Sequence, residues 1–243
     1  MIEVDRISKR FGEVEAVKEV TFRAERGKVT GLLGPNGAGK STSLRIIAGV
    51  LKADGGSVKI NGHDVQKSPD DARMALGVLP HAKGLYPRLT GRENIRYYGK
   101  LNGLRGEELE NNINSLIEML DISEFADRKA EGYSQGQGTK VALARAMVHR
   151  PDAIVLDEPT NGLDVMATRS LRELIHQLRD TGKCVLLSSH VMQEVGALCD
   201  EIIIIAHGKM LAHGSPDAIR RQTGKENLED AFVAVIGTEE GLA

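Results

Sequence analysis

Residues 34–42 read Gly34-Pro35-Asn36-Gly37-Ala38-Gly39-Lys40-Ser41-Thr42, and their reading decides the fold. They satisfy G-x-x-x-x-G-K-[ST]: Gly34 opens the pattern, Gly39-Lys40 closes it and Ser41 takes the hydroxyl place. Val29-Thr30-Gly31-Leu32-Leu33 before them reads as a short buried strand. Thr42 to Leu51 after them reads as a helix, with Leu44, Ile47, Ala48 and Leu51 at i, i+3, i+4 and i+7. Strand, glycine loop and helix together make a phosphate cradle. The loop N–H groups turn inward, and the helix N-terminus adds the favourable end of its dipole. Side chains in place of the glycines would block the phosphates and resist positive φ. Lys40 is expected over the β- and γ-phosphates of a nucleotide, and Ser41 at a Mg²⁺ ion. A glycine turn with a stray lysine is the plainer alternative, and the strand–loop–helix context argues against it.

The chain has 243 residues, enough for a sizeable core in one large domain or one domain with an insertion. Hydrophobic residues make up 41% and charged residues 27%, as in an ordinary globular protein. A net charge of −2 carries no global basic excess that would point to nucleic acid. Ile202 to Ala206, the longest aliphatic run of the C-terminal third, is far too short to span a bilayer. The opening Met1-Ile2-Glu3-Val4-Asp5 lacks the basic and apolar regions of a signal peptide. Two cysteines, Cys184 and Cys199, are too few for a disulfide framework. Cys184 lies in an apolar strand and reads as an inert buried thiol, so a reducing cytoplasm is the expected compartment.

Residues 1–33 read as β structure, with Ile2 and Val4 alternating with Glu3 and Asp5 and a second strand through Val20-Thr21-Phe22. Phe11 precedes Gly12 in a polar turn. An aromatic there is either a core plug or a face exposed for stacking on a base, and the residues alone leave both open. Asp54-Gly55-Gly56 signals a turn into the alternating strand Ser57 to Gly62, and Ala75 to Leu79 is a short apolar strand ended by Pro80. From Thr90 to about Ala130 the pattern turns helical. Thr90 and Glu93 form a capping-box pair, and Ile95, Tyr98 and Leu101 line one face. A second helix, about Glu107 to Leu120, carries Ile113, Leu116, Ile117 and Leu120. These helices read as an insertion into an α/β domain. Ala153-Ile154-Val155-Leu156 then reads as a parallel strand buried on both faces. A helix at Val165 to Asp180, a strand at Cys184 to Leu187 and a hairpin at Glu201 to Ala212 follow. Ser215-Pro216-Asp217 starts another helix, and Leu228, Ala231, Phe232 and Val235 mark a last amphipathic one. No internal repeat or low-complexity linker interrupts the chain.

Asp157 follows its apolar strand directly, the usual place of a second Mg²⁺ holder beside a phosphate loop. Glu158, one residue on, points differently and is placed to polarise a water for in-line attack on a γ-phosphate. A solvated acidic turn is the plain alternative. Tyr133-Ser134-Gln135-Gly136-Gln137 ends 20 residues before Asp157 and opens a helix through Val141, Ala144 and Val148, ended by Pro151.

With these spacings on the page, the chain resembles the ATP-binding subunit of ABC transporters over essentially its whole length. The resemblance rests on the phosphate loop, a signature pentapeptide at 133–137, Leu156-Asp157-Glu158-Pro159, Asn161-Gly162-Leu163-Asp164, and His190 after a strand. It implies a P-loop NTPase core with a mostly parallel sheet, an N-terminal antiparallel β subdomain and an inserted α-helical subdomain. On that pattern residues 1–243 form a single ATP-binding domain, its RecA-like core about 1–89 and 151–214, its helical part about 90–150 and its tail about 215–243. Phe11 falls on the family's adenine-stacking aromatic. The implied mechanism pairs two subunits head to tail around two ATP molecules, as a homodimer or with a paired ATPase subunit. The phosphate loop of one then faces Ser134, Gly136 and Gln137 of the other, across an interface that Asp164 also crosses. His190 is similar to the switch histidine that contacts the γ-phosphate and orients water with Glu158, and a lone structural histidine is the alternative. Hydrolysis removes the γ-phosphate that both halves hold, and the sandwich opens.

Two positions depart from the family pattern. Gln135 stands where the first glycine of Leu-Ser-Gly-Gly-Gln is usual, and His81 stands where a glutamine usually follows the 75–80 strand. Mg²⁺ prefers hard oxygen ligands, so Ser41, Asp157 and phosphate oxygens are expected to carry the ion while His81 relays contact with a membrane partner. Gly84-Leu85-Tyr86-Pro87-Arg88-Leu89-Thr90 and Leu228-Glu229-Asp230-Ala231-Phe232 resemble segments of exporter subunits, including sodium-extrusion and multidrug types. The expected protein is therefore an ATPase on the inner face of the cell membrane, bound there through a separate permease. The competing classes are an ATPase of this family with no transport role and a small-molecule kinase. The first usually carries two cassettes or long coiled coils, neither visible here, and the second has no reason to keep residues 133–137.

Overall fold

In a computed structural model, which describes residues 1–240, the chain begins with β1 (Ile2–Phe11), β2 (Val14–Ala24), β3 (Lys28–Leu33), α1 (Lys40–Ile47), β4 (Gly55–Ile60) and β5 (His63–Asp64). It continues through α2 (Pro69–Met74), β6 (Leu76–Leu79), α3 (Gly91–Leu101), α4 (Gly106–Met119) and α5 (Gln135–Met147). Then come β7 (Ala153–Asp157), α6 (Val165–Asp180), β8 (Cys184–Ser189), α7 (Met192–Leu198), β9 (Glu201–Ala206), β10 (Lys209–Gly214), α8 (Pro216–Thr223) and α9 (Leu228–Glu240).

Two sheets result. One is four-stranded, ordered β2-β1-β4-β5 and antiparallel throughout; the other is six-stranded, ordered β10-β9-β3-β8-β7-β6. The larger sheet is parallel from β9 to β6, with β10 antiparallel at its edge. Its strands show why near-continuous apolar runs belong here: both faces are covered. Ile154, Leu156, Val185, Leu187, Ile202 and Ile204 pack toward the helices. Their alternates Ala153, Val155, Cys184, Leu186, Ile203 and Ile205 pack toward α1 and the antiparallel sheet. Each Val, Leu or Ile side chain taken from water here contributes about 1.5–3 kcal/mol, which makes this three-layer stack the main source of stability. The helices α3, α4 and α5 are inserted between the neighbouring parallel strands β6 and β7.

Local sequence explains most boundaries; three expectations need correction, and one open alternative, at Phe11, is resolved. The helix expected at Thr42 begins two residues earlier, at Lys40, and stops at Ile47 because Gly49 turns left-handed (φ 67°); Leu51 lies beyond it, half-buried. Leu101 does not line the inner face of α3: it is 64% exposed, and Asn94, Ile95 and Gly99 are buried instead. Gly99 is there because a Cβ would come within 2.3 Å of Leu109, a contact that no hydrophobicity pattern reveals. The strand expected to run to Gly62 ends at Ile60, where Asn61 and Gly62, both at positive φ, turn the chain into β5. Phe11 is not a core plug: it closes the β1–β2 hairpin half-exposed. Short α2 and α7 carry too few apolar side chains to announce themselves; Ala72, Val195 and Leu198 are all they bury.

Candidate active site

The parallel register brings the motifs together. Leu33, at the end of β3, pairs with Ser189 of β8; Ser188 pairs with Asp157 of β7; Leu156 pairs with Leu79 of β6. The residues just beyond these strand ends are therefore neighbours: the phosphate loop, His190, Glu158 and His81. Ligand crevices of open α/β sheets form at this carboxyl edge.

The loop is held open by its glycines through packing, in addition to the ligand access expected from the sequence. A Cβ on Gly34 would lie 2.2 Å from the Ile205 carbonyl oxygen, and one on Gly39 (φ 103°) would lie 2.4 Å from that of Ala16. The loop is thus wedged between β9 and β2 with no room for a side chain at Gly34 or Gly39. Ala38 is buried and its carbonyl accepts from the Gly208 N–H at 3.1 Å, while Pro35, Asn36 and Gly37 are exposed. Lys40 starts α1 from a buried position and folds back, Nζ donating to the carbonyls of Gly34 at 2.7 Å and Pro35 at 3.1 Å. Burial lowers its pKa, and the Glu158 and Asp157 carboxylates oppose that shift, so the ammonium lies within the field of both acids. Ser41 is exposed beside it and Thr42 half-buried.

At the end of β7, Asp157 Oδ1 accepts from Ser188 Oγ at 2.7 Å, and the same hydroxyl oxygen accepts from the Glu158 N–H at 2.9 Å. Glu158 sits at φ 52°, a backbone state that a non-glycine residue holds only where neighbours enforce it. Its Oε2 meets His190 Nδ1 at 2.6 Å. In the sequence Ser188-Ser189-His190 after an apolar strand marks the position of His190, but nothing there shows that Ser188 holds Asp157 and Glu158. A cleft of about 360 Å³ opens beside these acids, lined by His81, Lys83, Gln135, Asp157, Glu158 and Asn161.

The signature residues lie elsewhere in the same chain. Ser134 caps α5, its Oγ accepting from the Gln137 N–H, and the Gln137 side chain accepts from the Ser134 N–H in return. Gly136 lies where a Cβ would come 3.1 Å from Ala167 of α6. Among the described residues no hydrogen bond joins Ser134, Gly136 or Gln137 to the phosphate loop. Gln135 is held by Lys83, whose Nζ donates to its carbonyl at 2.6 Å and its side chain at 2.8 Å. Arg145 of α5 fastens the same segment, donating to the carbonyls of Lys83 and Gly84 at 2.7 Å each. Asp164 is exposed and caps α6 through the Ala167 N–H, followed by Val165 and Met166, 83% and 72% exposed. A mostly apolar cavity of about 660 Å³ between the C-terminal ends of α5 and α6 lies at the opposite end of β7.

Known proteins share this arrangement. A family model described as ABC transporter matches residues 17–161. The ABC transporter ATP-binding protein NatA of Bacillus subtilis is 39% identical, over 96% of this chain and 97% of the relative. The linearmycin resistance ATP-binding protein LnrL of the same organism is 35% identical over 97% and 76%, respectively. The Nod factor export ATP-binding protein I of Ralstonia nicotianae is 35% identical over 94% and 72%. Among solved structures, an ATP-binding subunit of an ABC transporter superposes with a TM-score of 0.88 at 30% identity, over 97% of this chain and 99% of the other. A dimeric ATP-binding cassette in a post-hydrolysis state with ADP and Pi gives 0.79 at 27% identity, over 88% and 98%.

Proposed function

We propose, because this chain belongs to the ABC transporter family, that it is the ATP-hydrolysing subunit powering a separate membrane-spanning subunit that exports its cargo. The observation that carries this reading is the gathering of the phosphate loop, Asp157, Glu158 and His190 at one sheet edge, with Glu158 and His190 in contact at 2.6 Å. In this reading residues 34–42 grip the triphosphate, Lys40 lies over the β- and γ-phosphates, and half-exposed Phe11 stacks on the adenine. The donors Ser41 and Asp157, an alcohol and a carboxylate oxygen, suit a Mg²⁺ ion that takes its other ligands from phosphate and water. Asp157 is free to serve because Ser188 engages one carboxylate oxygen. The ion, when bound, offsets charge on the β- and γ-phosphates. Glu158 accepts the proton of the attacking water, and His190 holds the Glu158 carboxylate and the γ-phosphate side of that water in line.

Ser134, Gly136 and Gln137 act on the nucleotide of a second copy or paired ATPase subunit, since in their own chain they stand apart from the loop. The capped N-terminus of α5 is the anion-binding end they offer. The exposed Val165 and Met166 beside Asp164 give that pairing an apolar strip to bury. The chain is taken as one ATP-binding domain, with core about 1–89 and 151–214, helical part 90–150 and tail 215–243. No described helix is long and apolar enough to cross a membrane, and in this reading the passage of cargo belongs to the separate permease. Docking to it is assigned to the cytoplasmic side, at exposed Tyr86, Pro87 and Arg88. The export names of the Nod-factor relatives support the direction, and sodium extrusion is the cargo reading carried by Gly84–Thr90 and the 228–232 segment. Tagged protein extracted from membranes in mild detergent is expected to bring down a hydrophobic integral membrane protein; recovery of this chain alone contradicts the transport assignment.

His81 lines the cleft with Asp157 and Glu158. An imidazole presents ring nitrogens where an amide presents a hard carbonyl oxygen. His81→Gln is therefore expected to change kcat for ATP, and an unchanged kcat would contradict a role for the ring.

A further inference from the structure

We propose that Glu194 is a positioning residue of the hydrolytic centre: through Thr160 it holds the loop carrying Glu158 against His190. The loop from Asp157 to Asn161 is fastened on its β8 side by Ser188, which engages both Asp157 Oδ1 and the Glu158 N–H. Within the loop the Asn161 N–H donates to the Glu158 carbonyl at 3.1 Å. The opposite side is held from α7, where Glu194 Oε2 accepts the hydroxyl proton of Thr160. Thr160 is only 9% exposed, so its hydroxyl requires a protein partner, and Glu194 supplies it with a charged acceptor.

His190 lies on the stretch between these two fastenings. It follows Ser189 at the end of β8, whose Oγ accepts from the Val191 N–H at 3.0 Å, and α7 begins at Met192. The contacts therefore close a ring: Glu158 to Ser188, along the chain to His190 and Glu194, across to Thr160 and back to Glu158. The 2.6 Å contact between His190 and Glu158 spans the middle of that ring. A left-handed Glu158 backbone persists only when its surroundings over-determine it, and Thr160 to Glu194 is the restraint that comes from the His190 side. Behind α7, Leu228 of α9 lies against Gly196, so the helix has a fixed back from which Glu194 reaches forward. Neither Glu194 nor Thr160 belongs to the phosphate loop, and neither needs to touch nucleotide.

Such a tie acts on the chemical step and not on nucleotide affinity. Thr160→Val, which keeps the shape and removes the donor, and Glu194→Ala are each expected to lower kcat for ATP about tenfold, the scale of a small misplacement at a reacting centre. KM is expected to stay within about twofold. Thr160→Ser and Glu194→Gln, which preserve a hydroxyl donor and an oxygen acceptor, are expected to restore most of kcat. The double variant Thr160→Val/Glu194→Ala is expected to be no slower than either single one. Glu194→Asp, one methylene shorter, tests the same span in a chain that keeps its charge and is expected to lose kcat likewise. Full kcat in folded Thr160→Val and Glu194→Ala, multiplicative losses in the double variant, or a KM rise in place of the kcat fall would overturn the proposal. The inference rests on Glu158 and His190 acting in hydrolysis. Normal turnover by Glu158→Gln overturns that reading, whereas an inactive Glu158→Gln beside fully active Thr160→Val and Glu194→Ala overturns the inference alone.

Discussion

Glu158→Gln is expected to bind ATP as tightly as the wild type, to hydrolyse it about 10²–10⁴-fold more slowly, and to run as a dimer on a sizing column with ATP present. The substitution exchanges one carboxylate oxygen for an amide nitrogen and keeps the shape, so the ties of the loop to Ser188 and Glu194 persist. What disappears is the base. A carboxylate accepts a proton from water, and a neutral amide does not. Binding is spared because the groups that grip phosphate, the loop N–H groups and Lys40, belong to other elements. With the γ-phosphate never cleaved, the ligand that favours the paired state is never lost, and its population accumulates. Rapid turnover by this variant, or a monomer at saturating ATP, contradicts the role given to Glu158.

Lys40→Met carries the second large effect, and of the opposite kind: affinity fails before chemistry. The ammonium is buried at the first residue of α1 and reaches the carbonyls of Gly34 and Pro35, poised above the concavity of the loop. Hydrogen bonds to charged groups contribute about 1.5–3 kcal/mol each, so losing two that the ammonium would give to phosphate oxygens is expected to raise the Kd for ATP by about 10²-fold or more. Calorimetric titration with ATP reads this directly. A methionine variant that folds and keeps the wild-type Kd contradicts the placement of Lys40 over the phosphates.

The sequence made the chemistry legible because phosphate binding demands a contiguous pattern. Gly34 to Thr42 had to stand together, and the strand before it and the helix after it came with recognisable periodicity. Asp157 and Glu158 were readable for the same reason, being attached to an apolar strand. What brings them beside the loop was not readable: the strand order places β8 between β3 and β7, and no local signal encodes that neighbourhood. The reasons for individual glycines were likewise hidden, since Gly34 answers to the carbonyl of Ile205 and Gly39 to that of Ala16. Leu101 was misplaced because α3 buries Asn94 and Gly99, whose inward position follows from packing and hydrogen bonding instead of apolarity. Phe11 was ambiguous because a phenyl ring suits a core and a base equally well, and only its exposure separates the two. Short α7 escaped notice altogether, and with it Glu194, the residue through which the far side of the catalytic loop is held.

ATP hydrolysis measured against protein concentration tests most directly whether the active unit is a pair. If Ser134 and Gly136 of one copy complete the site of another, the rate per chain rises with concentration in the dilute range and levels off only where a sizing column shows dimer. A rate per chain that stays constant, at its full value, down to concentrations where the protein is wholly monomeric would contradict the account.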